Sequence, residues 1–230
     1  MNELVFLAYS LLVSSSCIMA LRINKESLIA LICVQAVLAN LFVTKNIMLF
    51  GLNATASDTL AIGCTLGLNL LQEYYTRISV IRTIWISFFC SLFYTLVSIL
   101  HVSYISASQD PFAACFSLLL SPMPRVILAS LVTYLISQHL EYYLYGYLRL
   151  KLANRYFILR NYTSVAISQF VDTVLFSFLG LYMLNQAFSS INTILEIITV
   201  SYILKLTTLF ITVPFIALAR KIHLHELFPF

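Results

Sequence analysis

The chain has 230 residues, of which 61% are hydrophobic and only 10% charged, with a formal net charge of +4. A water-solvated domain is about half apolar and about a quarter charged, so a soluble globular protein is excluded and a polytopic membrane protein is implied. Five glycines and five prolines leave no room for a flexible linker or a low-complexity tail, which points to one compact membrane domain.

Seven segments approach the roughly 20 apolar residues, at about 1.5 Å rise each, that a membrane-crossing helix needs. The first, 3–21, could be mistaken for a signal peptide, but it lacks a basic start: Glu3 is its only charged side chain. It reads as a retained helix. The second covers 27–45. The third, 58–76, is short and polar. At about 100° per residue, Asp58, Thr65, Asn69 and Glu73 share one face with Gln72 beside them. Gly63 and Gly67 lie on the opposite side, as a seam that lets a neighbouring backbone approach.

The fourth segment is 83–105. The fifth, 112–148, is too long for one straight span, and the "SPMPR" of residues 121–125 breaks it, because its two prolines remove donors and bias the residues before them away from helix. A short or re-entrant piece over 112–120 is expected, with the span proper starting near Pro124. Ser130, Tyr134, Gln138 and Glu141 then share a face, while Arg125 projects elsewhere on an ideal helix. In the sixth segment, 161–184, Gln169, Asp172, Thr173, Phe176 and Gly180 form a stripe. In the seventh, 192–219, Ser201, Lys205, Thr208 and Thr212 do, with Tyr202 at the edge.

Orientation follows from the basic residues. With the N-terminus outside, the loops 22–26, 77–82 and 149–160 and the tail after 219 face the cytoplasm. They carry Arg22, Lys25, Arg77, Arg82, Arg149, Lys151, Arg155, Arg160, Arg220 and Lys221, ten of the thirteen Lys and Arg. The loops 46–57, 106–111 and 185–191 carry none. This separation predicts a multi-pass inner-membrane protein, N-terminus outside and C-terminus cytoplasmic.

Other chemistry is sparse. The five cysteines stand singly in apolar stretches, with no C-x-x-C. His223 and His225 make one H-x-H without further ligands, and His101 and His139 are placed near helix ends. No metal or cofactor is expected. H-E-x-x-H, G-x-S-x-G and G-x-x-x-x-G-K-[ST] are all missing, so neither an enzyme nor an ATPase is expected.

Three basic residues remain, Lys45, Arg125 and Lys205, and their counterparts within spans are Asp58, Glu73, Glu141 and Asp172. Ionisable groups at bilayer depth cost several kcal/mol, so they face the bundle interior and pair, or line a wet cavity. The expectation is a shared polar pocket at mid-membrane, where transporters hold their substrates. Carboxylates accept hydrogen bonds, amides do both, and aromatic rings stack. Together they suit a flat, donor-rich heterocycle such as a purine-like base, and equally a vitamin or an amino acid.

Ordered pieces of the chain carry a resemblance. They are "VLANLFVTK" (37–45), "SDTLAIG", "NLLQEYY", "PRVILASLVTYLISQHLE", "SQFVDTVLF", "VSYILKL" and a downstream "VPF", spread over about 27–219. In these the chain resembles the queuosine-precursor transporter family, often grouped with vitamin-uptake transporters. The resemblance implies an all-α core of six helices (27–221), like the substrate-binding subunits of energy-coupling-factor transporters. An additional N-terminal helix and loop (1–26) and a short tail (222–230) complete the chain. It further implies uptake of 7-deazapurine bases by alternating access.

By position, Asn40, Lys45, Asp58, Glu73, Arg125, Ser130, Gln138, Gln169, Asp172, Tyr202 and Lys205 match the family's recurrent polar positions. In the substrate site so implied, Glu73 and Asp172 accept hydrogen bonds, Gln138, Gln169 and Asn69 orient the base, and Phe176 or Tyr134 stacks on it. Lys205 and Arg125 keep the carboxylates ionised or break their pairs as the site opens. Departures at Asn69, Thr76 and Glu141 leave open whether the nitrile, the aminomethyl base or complete queuine is carried. Expected partners are a small purine-like molecule and the lipid bilayer, with no nucleic acid; a homo-oligomer is compatible with the chain. The alternative is a binding subunit for a vitamin-like molecule that needs a separate ATP-driven module.

Overall fold

A computed structural model describes every residue except 1, 44, 50, 51, 56, 108, 109, 121–123, 154, 184–189 and 228–230. The order is α1 (Asn2–Ile23), α2 (Lys25–Phe42), β1 (Asn46–Leu49), β2 (Leu52–Thr55), α3 (Asp58–Tyr74), α4 (Arg77–Val102), α5 (Ala113–Leu120), α6 (Pro124–Lys151), α7 (Phe157–Phe176) and α8 (Ile191–Leu227). α7 continues as one π-helical turn, Ser177–Leu181.

Among the described residues, five helices are long and apolar enough to cross a membrane: α1, α2, α4, α7 with its π-turn, and α8 as far as Pro214. They become six if α5 and α6, whose axes differ by 45°, form one broken span. The architecture is thus an all-α, multi-pass membrane bundle. α4 turns Trp85, Phe89, Phe93, Leu96 and Leu100 outward, the apolar surface a bilayer covers.

The segment expected third behaves differently from the rest. α3 has 17 residues, 13 of them buried, and it packs against α1, α2, α4, α6, α7 and α8. A helix enclosed by other helices needs no apolar perimeter, so its polar side chains meet partners instead of lipid. Its glycines fix how closely those partners come. A Cβ on Gly63 would lie 2.4 Å from Val13 Cγ1, and one on Gly67 2.8 Å from Ile32 Cγ1. The seam read from the sequence therefore receives α1 and α2. α1 packs on α2, α3 and α8 and contributes Cys17 and Leu21 to the same apolar core as Ile32, Leu66 and Val165.

Several boundaries shift for local reasons. α4 begins at Arg77 because Thr76 caps it, its side chain accepting from Ser79 N at 3.3 Å. Arg77 and Arg82, expected in a loop, therefore stand on its first turns. α2 is capped by Asn24, which accepts from Ser27 N at 2.7 Å. The loop expected over 46–57 contains an antiparallel hairpin, Asn46 opposite Thr55 and Leu49 opposite Leu52. Leu49 is buried with Phe6 of α1 and Leu204 of α8, which pins the hairpin on one end of the bundle. α8 stays helical to Leu227, past the expected start of a tail at 222. His139 lies mid-helix on α6 rather than near an end. Residues 121–123 of the "SPMPR" break, most of the loop 185–191, and the side chains of His223 and His225 lie outside the described residues.

Candidate functional site

Polar side chains of α3, α6 and α7 meet in three successive layers, each four residues further along α3, about 6 Å apart by helix rise. The first centres on Thr65. Its hydroxyl donates to Ala61 O at 3.0 Å and accepts from Gln138 Nε2 and Gln169 Nε2, both at 3.2 Å. A hydroxyl has one proton and two lone pairs, so Thr65 is saturated, and it can only accept from the two amides. Their oxygens must therefore point away. Among the described residues, Gln138 Oε1 and Gln169 Oε1 are buried without a hydrogen-bond partner.

The second layer centres on Glu141, 1% exposed. It accepts from Asn69 Nδ2, Ser164 Oγ and Ser168 Oγ, each at 2.7 Å, and Asn69 also donates to Asn161 Oδ1 at 3.1 Å. The third centres on Glu73. Arg160 Nη2 stands 3.0 Å from Oε1, Tyr145 Oη donates to Oε2 at 2.9 Å, and Arg149 Nε lies 3.6 Å from Oε2. Arg149 also bonds the carbonyls of Gln72 and Glu73, satisfying acceptors that the C-terminus of α3 leaves open.

Beyond the Thr65 layer, towards the hairpin end, a cavity of about 170 Å³ opens between α2, α3, α6, α7 and α8. Nine of the fourteen residues singled out by sequence line it: Asn40, Asp58, Ser130, Tyr134, Gln138, Gln169, Asp172, Phe176 and Lys205. Lys205 Nζ donates to Asp172 Oδ2 at 2.6 Å, tying α8 to α7. Ser130 Oγ donates to Asn40 Oδ1 at 2.8 Å, tying α6 to α2. Tyr134 shares a 2.7 Å hydrogen bond with Ser87 of α4, which anchors the end of its ring. The aspartate inside the apolar sixth segment thus has a cation and an adjoining chamber.

The structure places the other five elsewhere. Asn69 is spent on Glu141 and Asn161. Glu73 belongs to the arginine layer, two layers from the cavity. Lys45 is exposed where α2 gives way to β1. Arg125 donates from Nε to Leu179 O at 2.8 Å and from Nη2 to Tyr182 O at 2.7 Å. There it fills carbonyls around the π-turn, whose wider winding leaves regular helix bonds unmade. Tyr202 donates to Ala166 O at 3.2 Å with its ring edge-on to Phe170, on the outer side of α7 and α8.

Sequence reading missed several groups. Thr133, buried with a hydroxyl that has no partner among the described residues, lines the cavity beside Ser177 and Ser201. Arg160 was assigned to a cytoplasmic loop, yet it is fully buried, because α7 starts at Phe157 and turns it into the bundle. The signal was available: Asn161, Ser164, Ser168 and Asp172 continue one polar stripe at spacings of three and four.

A family model described as "Putative vitamin uptake transporter" matches residues 55–219. The chain is 30% identical, over 202 residues, to the "Probable queuosine precursor transporter" of Bacillus subtilis (strain 168), covering 86% of this chain and 85% of the relative. No solved structure matches the chain.

Proposed function

The chain belongs to the vitamin uptake transporter family, and from that premise we propose that it imports a queuosine precursor, a 7-deazapurine base, through the cavity between α2, α3, α6, α7 and α8. It is a transporter and not an enzyme. The name borne by the Bacillus subtilis relative supports the substrate class. The observation that carries the reading is that Gln138 and Gln169, whose buried amide oxygens have no hydrogen-bond partner among the described residues, both line the cavity.

Buried acceptors without partners are costly, by about 1–3 kcal/mol each, and a ligand rich in N–H groups relieves that cost. A 7-deazaguanine ring presents such donors along one edge and carries a carbonyl that Thr133 Oγ can serve. Asp172, held by Lys205, supplies a further acceptor, and the rings of Tyr134 and Phe176 offer stacking faces. A volume of about 170 Å³ lies below the roughly 300–1,000 Å³ of drug-sized sites.

What lies on either side supports alternating access. In the orientation expected from the basic residues, N-terminus outside, the hairpin end faces out and the Glu141 and Glu73 layers close the cytoplasmic side. Import then requires the arginine layer to part while the outer half closes over the base. α3, too short and polar by composition, completes seven spans within this bundle.

The test is uptake of labelled base by cells unable to synthesise it. Asp172→Asn and Lys205→Met, each present in the membrane at wild-type level, are expected to lower import at least tenfold. Wild-type import by both variants refutes the site, and transport by purified protein alone in liposomes separates it from a subunit that needs an ATP-driven partner.

A further inference from the structure

The cavity accounts for Asp172 and Lys205, and the arginine layer for Glu73, but neither uses Glu141. This carboxyl is fully enclosed, 1% exposed, and among the described residues every side chain that hydrogen-bonds to it is neutral: Asn69, Ser164 and Ser168. The charged and titratable groups on the elements packed around it are engaged elsewhere. On α3, Glu73 holds Arg149 and Arg160, the latter from α7. On α6, Tyr145 donates to Glu73 and the His139 ring bonds Leu135 O. On α4, Arg77 donates to Gly146 O. On α8, Lys205 pairs with Asp172. A carboxylate charge removed from water with no cation beside it is costly.

The hydrogen-bond geometry suits two protonation states. Ser168 Oγ has one proton and two acceptors within reach, Glu141 Oε2 at 2.7 Å and Val165 O at 3.2 Å. With Glu141 ionised, Ser168 donates to Oε2. With Oε2 protonated, its O–H donates to Ser168 Oγ, which turns its own proton to Val165 O. Asn69 and Ser164 donate to Oε1 in either case. Every partner is satisfied both ways, and the exchange needs only one hydroxyl to rotate.

The position links this exchange to the cavity. Gln138 precedes Glu141 by one turn of α6, Gln169 follows Ser168 directly, and Asn69 follows Thr65 by one turn of α3. We propose that Glu141 is a proton-binding site that couples proton entry to import, an inference that rests on the transport reading above. A proton drawn from water on the cavity side sits on Oε2 while the bundle changes its facing, then leaves to water on the other side. It reverses the donor–acceptor sense of the bond joining α6 to α7 beside the two glutamines that line the cavity.

The test uses the purified full chain in liposomes, with membrane potential clamped and labelled 7-deazaguanine base outside. An inward proton gradient of about one pH unit is expected to drive about tenfold accumulation if one proton accompanies each base, and a sodium gradient none. Glu141→Gln is expected to lose this accumulation down to the level without a gradient. Glu141→Asp, which keeps the carboxyl, is expected to retain it with a shifted pH profile. Uptake indifferent to the proton gradient, or driven by sodium, overturns the coupling and leaves import intact, whereas no uptake under any gradient overturns import by this chain alone. Infrared difference spectra of substrate-free protein decide about Glu141 independently of transport. A protonated-carboxyl stretch that titrates with pH and is missing from Glu141→Gln is expected; its absence from wild type at every pH overturns the inference.

Discussion

Replacing Glu73 by Leu removes the carboxylate that faces Arg160, and the structure says how much this should cost. Arg160 is fully buried; only its Nη2 reaches Glu73, while Nε and Nη1 have no hydrogen-bond partner among the described residues. The rest of the guanidinium lies 5.4 Å from the Tyr145 ring centroid and 5.8 Å from that of Phe157. Breaking a buried pair so that a charge is stranded costs about 3–5 kcal/mol, or roughly 10 °C in Tm for a chain of this size. The reverse change is milder. In Arg160→Met, Glu73 keeps Tyr145 Oη at 2.9 Å and Arg149 Nε at 3.6 Å, so about 1.5–3 kcal/mol is expected from the lost charge-assisted bond. The double variant should be more stable than Glu73→Leu alone, because Met fills the space without a charge to strand. Thermal unfolding of the three purified variants in detergent reads this ordering. A double variant that falls by the sum of the singles, or an Arg160→Met costlier than Glu73→Leu, refutes the view of Glu73 as the counter-charge of Arg160.

Two further outcomes follow from the packing and the proposed topology. Gly63→Ala places a methyl 2.4 Å from Val13 Cγ1 and should destabilise the chain by about 1–3 kcal/mol, in part recovered by Val13→Ala; thermal unfolding of both variants checks it. In a background without native cysteines, a cysteine at Ile105, 99% exposed, should react with a membrane-impermeant maleimide from outside the cell, whereas one at Tyr156 should react only after the membrane is opened.

The membrane class and the glycine seam could be read from the sequence because both rest on local spacing, as with Gly63 and Gly67 on the side of α3 away from Asn69. Asp172 and Lys205 were legible for a related reason. Each is a charge set within an apolar stretch, and such charges seek one another. Which charges share a chamber was not legible, because helical phase gives the face and not the depth. Glu73 shares a face with Asp58, yet it lies at the far end of α3, where the incoming helix of Arg160 claims it. Arg125 was ambiguous since on an ideal helix it projects away from the polar face of α6, and its partners, Leu179 O and Tyr182 O, stand around the π-turn that ends α7. The hairpin of 46–55 is held by Leu49 against Phe6 and Leu204, contacts distant in sequence that no short-range pattern announces.

The most direct measurement of the central claim is equilibrium binding of a labelled 7-deazaguanine base to purified protein, comparing wild type with Gln138→Leu, Gln169→Leu and the double variant. Saturable binding by wild type is predicted. Each single change should weaken it by about tenfold or more, in line with 1–3 kcal/mol for a lost buried hydrogen bond, and the double change should abolish it. Unaltered affinity in a folded double variant would contradict the account, because the two amide oxygens would then not be what the ligand satisfies.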